Sequence, residues 1–202
     1  PSSGLSTSAA MRRGLAELVA TIKQVRGHSN IFRFLIARMF YTDGLTTLFA
    51  FGGIYAASTF GMGFSELIMF GIALNATAGV GAAFFGWIDD GLGSKKTIMI
   101  AVSALIVLSM AVLWAPSKTW FWVIAMPLGI FVGPAQAASR SMMTHLAPPE
   151  MRNKMFGLYA LSGKATAFMG PAFLGWVTAV SNSQRVGMAT ILIFLVIGLL
   201  LL

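Results

Sequence analysis

The chain contains six predominantly apolar segments, separated by shorter stretches that carry most of its charged residues. A helix needs about 20 mostly apolar residues to cross the hydrocarbon core of a bilayer. The predicted spans cover residues 31–61, 67–88, 97–115, 119–138, 155–180 and 186–202. The first is too long for one straight span, and Asp43-Gly44 divides it, which predicts a tilt or a break at that point.

Composition supports a membrane protein. Of the 202 residues, 57% are hydrophobic and only 10% are charged, which is too apolar for a soluble domain. The net charge of +8 does not indicate nucleic-acid binding here, because the Lys and Arg residues lie between apolar runs. The chain contains no cysteine, which excludes disulfides and thiolate metal sites.

The basic residues fall in alternate connecting segments, which sets the predicted orientation. One side carries Arg12, Arg13, Lys23, Arg26, Lys95, Lys96, Arg140, Arg152 and Lys154. The other side carries only Lys118 and Arg185, and three tryptophans cluster there as in a membrane-interface belt. Because positive charge is retained on the cytoplasmic side, both ends of the chain are predicted to be cytoplasmic.

Two regions follow from this pattern. Residues 1–30 are predicted to be a cytoplasmic linker, in which 10–26 form an amphipathic helix on the membrane surface. The alternative for 10–26 is a helix packed on another soluble element. Residues 31–202 are predicted to form a six-helix transmembrane domain, so the fold class is an all-α membrane protein.

Small residues and prolines within the spans predict how the helices pack. Residues that permit close helix contact recur every four positions in two spans, at Ala78, Ala82 and Gly86 and at Gly129, Gly133 and Ala137. Prolines lie inside spans at Pro127, Pro134 and Pro171, where they bend a helix. These features fit a bundle that moves, and they also fit a static one.

Charge is concentrated in the segment 86–97, GWIDDGLGSKKT, between the second and third predicted spans. Its spacing resembles the cytoplasmic loop signature of the major facilitator superfamily, G-x-x-x-D-x-x-G-x-[RK]-[RK], which lies between the second and third helices of each six-helix half. Gly91 occupies a position where that superfamily often has a basic residue, so the charge network is predicted to be thinner.

Each signature residue has a physical role. Gly86 lets a neighbouring helix approach, Gly93 allows a tight turn, and Asp90 suits a neighbouring helix N-terminus. Lys95 and Lys96 are placed to pair with acidic groups or anionic headgroups, and Arg140 is a candidate loop anchor. The resemblance implies a gating loop that latches helices together and opens as a transporter changes state. The alternative is an ordinary solvated turn.

Three further stretches extend the resemblance: ARMFYTDGLTTLFAFGGIYAA (37–57), GPAQAASRSMM (133–143) and FGLYALSGKATAFMGP (156–171). They are similar to the branch that contains fungal vacuolar effluxers linked to autophagy and bacterial relatives. The resemblance implies the C-terminal half of a twelve-helix bundle built from 3+3 inverted repeats, with a missing N-terminal six-helix half. It also implies a bacterial inner membrane and a small solute, with amino acids as the candidates.

Ionisable residues at membrane depth are costly, at least ~2.5–3.5 kcal/mol on insertion scales, and they often mark functional sites. Counted from the ends of their spans, Arg38 lies about 10 Å deep, Asp43 about 18 Å and Lys164 about 14 Å. Arg38 and Lys164 are predicted to attract an anionic group of the solute. Hydrogen bonds to the solute are predicted from Tyr41, Asn75, Gln136 and Ser162.

Two of these charges have structural alternatives. Arg38 is close enough to the cytoplasmic face for its side chain to extend into water. Asp43 is a candidate carrier of a coupling proton, but it also suits an ion pair with Lys164 or Arg38, or the cap of a half-helix that starts at Gly44.

Three classes of function are compatible with a membrane chain of this kind: a transporter, a sensor or scaffold, and an enzyme. A secondary transporter half that works by alternating access fits the pattern best, and a membrane sensor or scaffold built on a transporter fold is the alternative. A membrane enzyme would need a paired set of catalytic groups. Asp89-Asp90 has no further carboxylates at helical spacing. The sequence therefore predicts neither catalytic residues nor a cofactor nor a metal site.

Overall fold

The computed structural model of the chain describes Lys23 and residues 27–202, and it is helical throughout that part. We number the helices α1 Ser29–Phe60, α2 Phe64–Leu92, α3 Ser94–Leu113, α4 Lys118–Leu146, α5 Arg152–Ala165, α6 Met169–Ser181 and α7 Gln184–Leu201. One 3₁₀ turn, Pro149–Met151, precedes α5. The absence of strands within 27–202 confirms the all-α class. The amphipathic helix predicted for 10–26 lies outside the described residues, Lys23 excepted.

Four of the described helices, α2, α3, α4 and α7, are long and apolar enough to cross a membrane. Large apolar side chains also face outward, including Trp87, Val107 and Val180. In water such a surface would be unfavourable, whereas lipid accommodates it. The chain is therefore an integral membrane protein. α1 carries three charged residues, and α5 and α6 are each too short to cross a membrane alone. That the chain crosses the membrane six times therefore stays a prediction.

The predicted break at Asp43-Gly44 is wrong, because α1 runs unbroken through both residues and buries them. Gly44 serves packing instead. A Cβ built there would lie 3.2 Å from Cδ2 of Leu195 and 3.3 Å from Cβ of Phe194, so the missing side chain lets α7 approach α1. A glycine inside an apolar helix can mark a close contact as well as a bend.

The break occurs instead in the predicted fifth span. α5 ends at Ala165 and α6 begins at Met169, and a turn joins them in which Met169 N donates to Thr166 O at 2.8 Å. Pro171 is the third residue of α6, where a helix loses nothing by the missing N–H. The predicted helix 155–180 is therefore two half-helices, joined by the turn 166–168.

Small residues bring α2 and α4 into close contact, as predicted for Ala78 and Gly133. A Cβ built at Gly133 would overlap the carbonyl oxygen of Ala78 and lie 3.1 Å from Cβ of Ala82. A Cβ at Gly129 would likewise overlap the hydroxyl of Thr77. The two helix backbones can touch only because these positions lack side chains.

Gly86 makes no close helix contact within the described residues, so the approach of a neighbouring helix there stays a prediction. It is exposed, and nothing described lies within 4 Å of a Cβ built there. Gly81 makes the close contact instead, because a Cβ there would overlap the carbonyl oxygen of Ile130. Gly86 fits the four-residue spacing of small residues in α2, but the close contacts of α2 with α4 lie at Ala78, Gly81 and Ala82 and not at Gly86.

Polar contacts link the connecting segments to one another at each end of the bundle. The segments that meet at one end are those that the alternation of basic residues assigned to the same side. At one end Ser94 Oγ donates to Ser141 Oγ at 3.0 Å, joining the α2–α3 loop to α4. At the other end Lys118 Nζ lies 2.9 Å from Glu66 Oε1. There Arg185 also donates to the carbonyl of Ala115 at 3.3 Å.

Gly93 alone separates α2 from α3, and it adopts φ 83° and ψ 150°. A residue with a Cβ in this region is strained by about 1–3 kcal/mol. We therefore expect Gly93→Ala to lower the free energy of unfolding by about that amount in thermal or denaturant unfolding. Gly91→Ala is the control, since Gly91 lies inside α2 with open space around it and Ala favours a helix. Equal effects of the two substitutions would contradict the prediction.

Candidate functional site

A cavity of about 350 Å³ opens between α1, α4 and α5. It is lined by Arg38, Tyr41, Thr42, Leu45, Thr46, Phe49, Gln136, Ser139, Arg140 and Tyr159. Two of these residues are arginines, several are neutral hydrogen-bonding groups, and none is acidic. The wall of the cavity is therefore positively charged at one part and otherwise neutral.

Arg38 is held against α5 rather than extended toward the end of the bundle. Its Nη1 donates to the carbonyl oxygen of Tyr159 at 2.7 Å and to Oγ of Ser162 at 2.9 Å. Its Cζ also lies 3.6 Å from the centre of the Tyr159 ring, a cation–π contact. Both hydrogen bonds use Nη1, and Nε is buried, so Nη2 is the guanidinium nitrogen that keeps donor capacity for a ligand in the cavity.

Tyr41 and Ser139 form the deep wall of the cavity. Their oxygens are 2.6 Å apart, and Ser139 Oγ also donates to the carbonyl of Ala135. Since the serine proton is used there, the tyrosine hydroxyl donates to Ser139. This bond joins α1 to α4. Gln136 and Arg140 follow on the same face of α4, one turn apart, and both line the cavity.

The structure brings together some of the predicted solute residues and leaves others apart. Arg38, Tyr41 and Gln136 line the cavity, as does Arg140, which the sequence had assigned to the loop. Ser162 is buried and contacts Arg38. Lys164 and Asn75 are exposed and do not line this cavity, and Asn75 Nδ2 donates to Gly71 O in its own helix. A solute role for the last two stays a prediction.

Asp43 lies behind the cavity wall. It is 2% exposed, and its Oδ2 accepts the backbone N–H of Gly170 at 2.8 Å. The predicted ion pair with Lys164 or Arg38 is not formed among the described residues. The carboxylate caps a half-helix, as one alternative held, but that helix is α6 and not one that starts at Gly44.

Sequence reasoning missed several lining residues: Thr42, Leu45, Thr46, Phe49, Ser139 and Tyr159. A signal for them exists in the spacing. Thr42, Leu45 and Phe49 follow Arg38 at intervals of four, three and four residues, which is one face of a helix. If Arg38 is taken to face the cavity, helical spacing therefore predicts that Thr42, Leu45 and Phe49 face it too.

A second cavity, of about 390 Å³, lies beside the loop. It is lined by Asp89, Asp90, Gly93, Ser94, Lys95, Ser141, Met142, His145 and Leu146. Asp89 Oδ1 is buried there with no partner in the described chain. The loop signature and the end of α4 thus share one polar recess.

The charged side chains of the loop make few contacts within 27–202. Asp90, Lys95 and Lys96 are exposed, and none of them forms an ion pair with another described residue. The predicted contact of Asp90 with a neighbouring helix N-terminus stays a prediction. The positive φ of Gly93 agrees with the tight turn expected at this position.

Comparison with known proteins identifies the family. The model of the vacuole effluxer Atg22-like family matches residues 3–202. An uncharacterized MFS-type transporter of Bacillus subtilis, YxiO, is 26% identical over 90% of this chain and 42% of its own length. Autophagy-related protein 22 of Cryptococcus neoformans is 27% identical over 87% of this chain and 34% of its own length.

The chain spans less than half the length of these relatives. The family is named for effluxers and the Bacillus relative for transport, neither for an enzyme, which agrees with the non-enzymatic prediction. The match over nearly the whole chain also agrees with the resemblance found in the loop signature and in the three longer stretches. The chain belongs to the vacuole effluxer Atg22-like family.

Proposed function

We propose that this chain forms the C-terminal half of a secondary active transporter that moves a small solute bearing a carboxylate by alternating access. Amino acids are the candidate class, with the carboxylate as the recognised group. The observation that carries the proposal is the cavity lined by Arg38 and Arg140 and by no acidic residue. Membership in a family of effluxers supports transport as the purpose of that cavity.

The chemistry of the cavity suits a carboxylate. A guanidinium binds the two oxygens of a carboxylate through parallel N–H groups, and charge-assisted hydrogen bonds of this kind are stronger than neutral ones. Tyr159 and Ser162 hold Arg38 in place, so less side-chain freedom is lost when a ligand binds. Thr42, Thr46 and Gln136 offer further hydrogen bonds. A volume of about 350 Å³ is that of a small-molecule site.

The proposal includes a membrane arrangement. α1 is the first of six spans, α5 and α6 together make the fifth, and both chain ends are cytoplasmic. The missing partner is an N-terminal six-helix half, and the membrane is the bacterial inner membrane. The relatives' greater length and the resemblance of the loop to the major facilitator signature support this arrangement. The same signature supports a gating role for the loop.

The test is transport by the purified full-length protein in proteoliposomes. Radiolabelled amino acids are offered beside the corresponding amides, which lack the carboxylate. We expect saturable transport of at least one amino acid, with kcat/KM for its amide lower by roughly 10-fold to 100-fold, because a hydrogen bond to a charged group contributes about 1.5–3 kcal/mol.

Empty liposomes and a nucleoside of similar size serve as controls. Calorimetric binding of an amino acid without any translocation would favour the sensor or scaffold instead. Equal transport of the amide and the amino acid would contradict the role given to the arginines.

A further inference from the structure

Two buried polar side chains meet where the half-helices α5 and α6 are separated. Asp43 and Thr47 lie one turn apart on α1, 2% and 0% exposed. A Cβ built at Gly170, the second residue of α6, would overlap Thr47 Oγ1 and lie 3.2 Å from Asp43 Oδ1. Both oxygens therefore lie against the same α-carbon.

Neither oxygen has a hydrogen-bond partner in the described chain. The cap on α6 uses only Oδ2 of Asp43, which accepts the N–H of Gly170. Buried polar atoms are nearly always paired, and a buried carboxylate with no counter-charge is strongly unfavourable. Capping alone therefore leaves one carboxylate oxygen and one hydroxyl unexplained.

The neighbouring helices supply no positive side chain to Asp43. α6 contains no titratable residue, and Arg185, the charged residue of α7, donates to Tyr55 and to the carbonyl of Ala115. On α1 itself, Arg38 is bonded to α5.

On α5, Arg152, Lys154 and Lys164 are exposed, and Tyr159 uses its ring and carbonyl on Arg38. Among the described residues no ion pair includes Asp43.

We propose that Asp43 Oδ1 and Thr47 Oγ1 form a site for a monovalent cation, H⁺ or Na⁺, at the junction of α5 and α6. Hard oxygen donors and a single negative charge suit either ion. A proton on Oδ1 neutralises the buried carboxylate, whereas Na⁺ binds between the two oxygens and takes both as ligands. The site is separate from the solute cavity, which Asp43 does not line, although its neighbour Thr42 does.

The role of this ion as the coupling ion rests on the proposed transport function, whereas its binding does not. The same carboxylate holds the first turn of α6 through Gly170. Binding of H⁺ removes the charge of that carboxylate, and binding of Na⁺ offsets it with a positive charge beside it, so either ion weakens the attraction of the site to the N-terminus of α6. The occupancy of the site is thereby linked to the angle between the two half-helices.

The test is thermal unfolding of the purified full-length protein in detergent. NaCl is titrated against choline chloride at constant ionic strength, at several pH values. An ion that binds the folded protein raises Tm as its concentration rises. Asp43→Asn retains an acceptor for the Gly170 N–H and an amide for Thr47, but it removes the charge. Asp89→Asn, another carboxylate with an unpartnered oxygen, is the matched control.

A Na⁺-dependent rise in Tm that Asp43→Asn abolishes and Asp89→Asn retains identifies Na⁺. A pH dependence of Tm that only Asp43→Asn removes, with no Na⁺ effect, identifies H⁺. Identical responses of the wild type and Asp43→Asn to both ions overturn the site.

If Asp43→Asn does not fold, Thr47→Val tests the site instead, since valine keeps the shape of the threonine side chain and removes the hydroxyl oxygen. For Na⁺ we expect an apparent affinity lower by about tenfold and restored by Thr47→Ser. Thr190→Val is the control, because Thr190 is a buried threonine of α7 whose hydroxyl donates to Gly187 O, and the affinity is expected to stay unchanged in it. For H⁺ we expect the pH dependence of Tm to be displaced in Thr47→Val and restored in Thr47→Ser. A Thr47→Val protein with wild-type responses to both ions overturns the site. Ion binding without solute transport would leave the site intact and refute the transport function.

Discussion

Replacing Arg38 with alanine is expected to lower kcat/KM for a solute bearing a carboxylate by roughly 10-fold to 100-fold, with the protein still inserted and folded. Arg38 lines the cavity, and its hydrogen bonds to Tyr159 and Ser162 both come from Nη1, which leaves Nη2 for the solute. Removing it takes away charge-assisted hydrogen bonds worth about 1.5–3 kcal/mol, and each 1.4 kcal/mol is a factor of ten. Initial rates of uptake into proteoliposomes measure the loss.

Two further variants separate charge from position. Arg38→Lys keeps the charge but loses the planar guanidinium that stacks on the Tyr159 ring and can bind a carboxylate through two parallel N–H groups, so only part of the transport is expected to return. Gly163→Ala keeps Arg38 and displaces it, because a Cβ there would lie 2.8 Å from Nη1. Gly157→Ala, on the same helix with nothing described within 4 Å, is its control.

Arg33→Ala is the matched control for Arg38→Ala. Arg33 lies on the same helix but is exposed and does not line the cavity. It is expected to transport like the wild type. Wild-type transport by Arg38→Ala would remove this guanidinium from the solute site, and an equal loss in both arginine variants would indicate a general effect of surface charge.

Gly133→Ala is expected to lower the free energy of unfolding by about 1–3 kcal/mol, although alanine is normally the better helix former. The added methyl group would overlap the backbone carbonyl of Ala78, which cannot move unless α2 and α4 separate. Other close contacts between these helices, such as those at Gly129 and Gly81, would then be weakened too. Thermal unfolding in detergent, followed by size-exclusion chromatography after heating, measures the effect.

Gly79→Ala is the control on α2, because nothing in the described residues lies within 4 Å of its Cβ position. It is expected to be neutral or slightly stabilising, by up to ~1 kcal/mol. If Gly133→Ala were as stable as Gly79→Ala, the close packing of α2 against α4 would not contribute to stability as described.

The sequence predicts the helices of this protein better than their interruptions. Apolar length and the spacing of small residues depend on local composition, so Ala78 and Gly133 are predictable as points of close helix contact, whereas the pairing of α2 with α4 is not. An interruption depends on which backbone groups find partners elsewhere in the fold. Asp43-Gly44 has the composition of a break, but its backbone bonds stay within α1, while its side chain serves α6.

The interruption between α5 and α6 had a weaker signal. Residues 163–168 are compatible with a helix one by one, whereas Gly170-Pro171 is typical of the first turn of a new helix. The partner that stabilises this new N-terminus, Asp43, is 127 residues away in the sequence. No local pattern contains that information.

The candidate site was predictable in part for a similar reason. Arg38 stood out because a charge at membrane depth is rare, and Tyr41 and Gln136 because they are polar in apolar surroundings. Thr47 gave no such signal. A threonine is ordinary in an apolar helix, and only the three-dimensional structure shows that its hydroxyl is buried without a partner next to a carboxylate.

The contacts of Lys118 and Arg185 have a mechanical consequence. They tie the rims of α2, α4 and α7 and the α3–α4 turn to one another, so this rim is expected to move as a single piece. At the opposite rim, Asp90, Lys95 and Lys96 hold no ionic partner within the described chain. In the proposed transport cycle we therefore expect the helices to change their spacing more at the end that carries these charges, where the described link between helices is the neutral Ser94–Ser141 hydrogen bond.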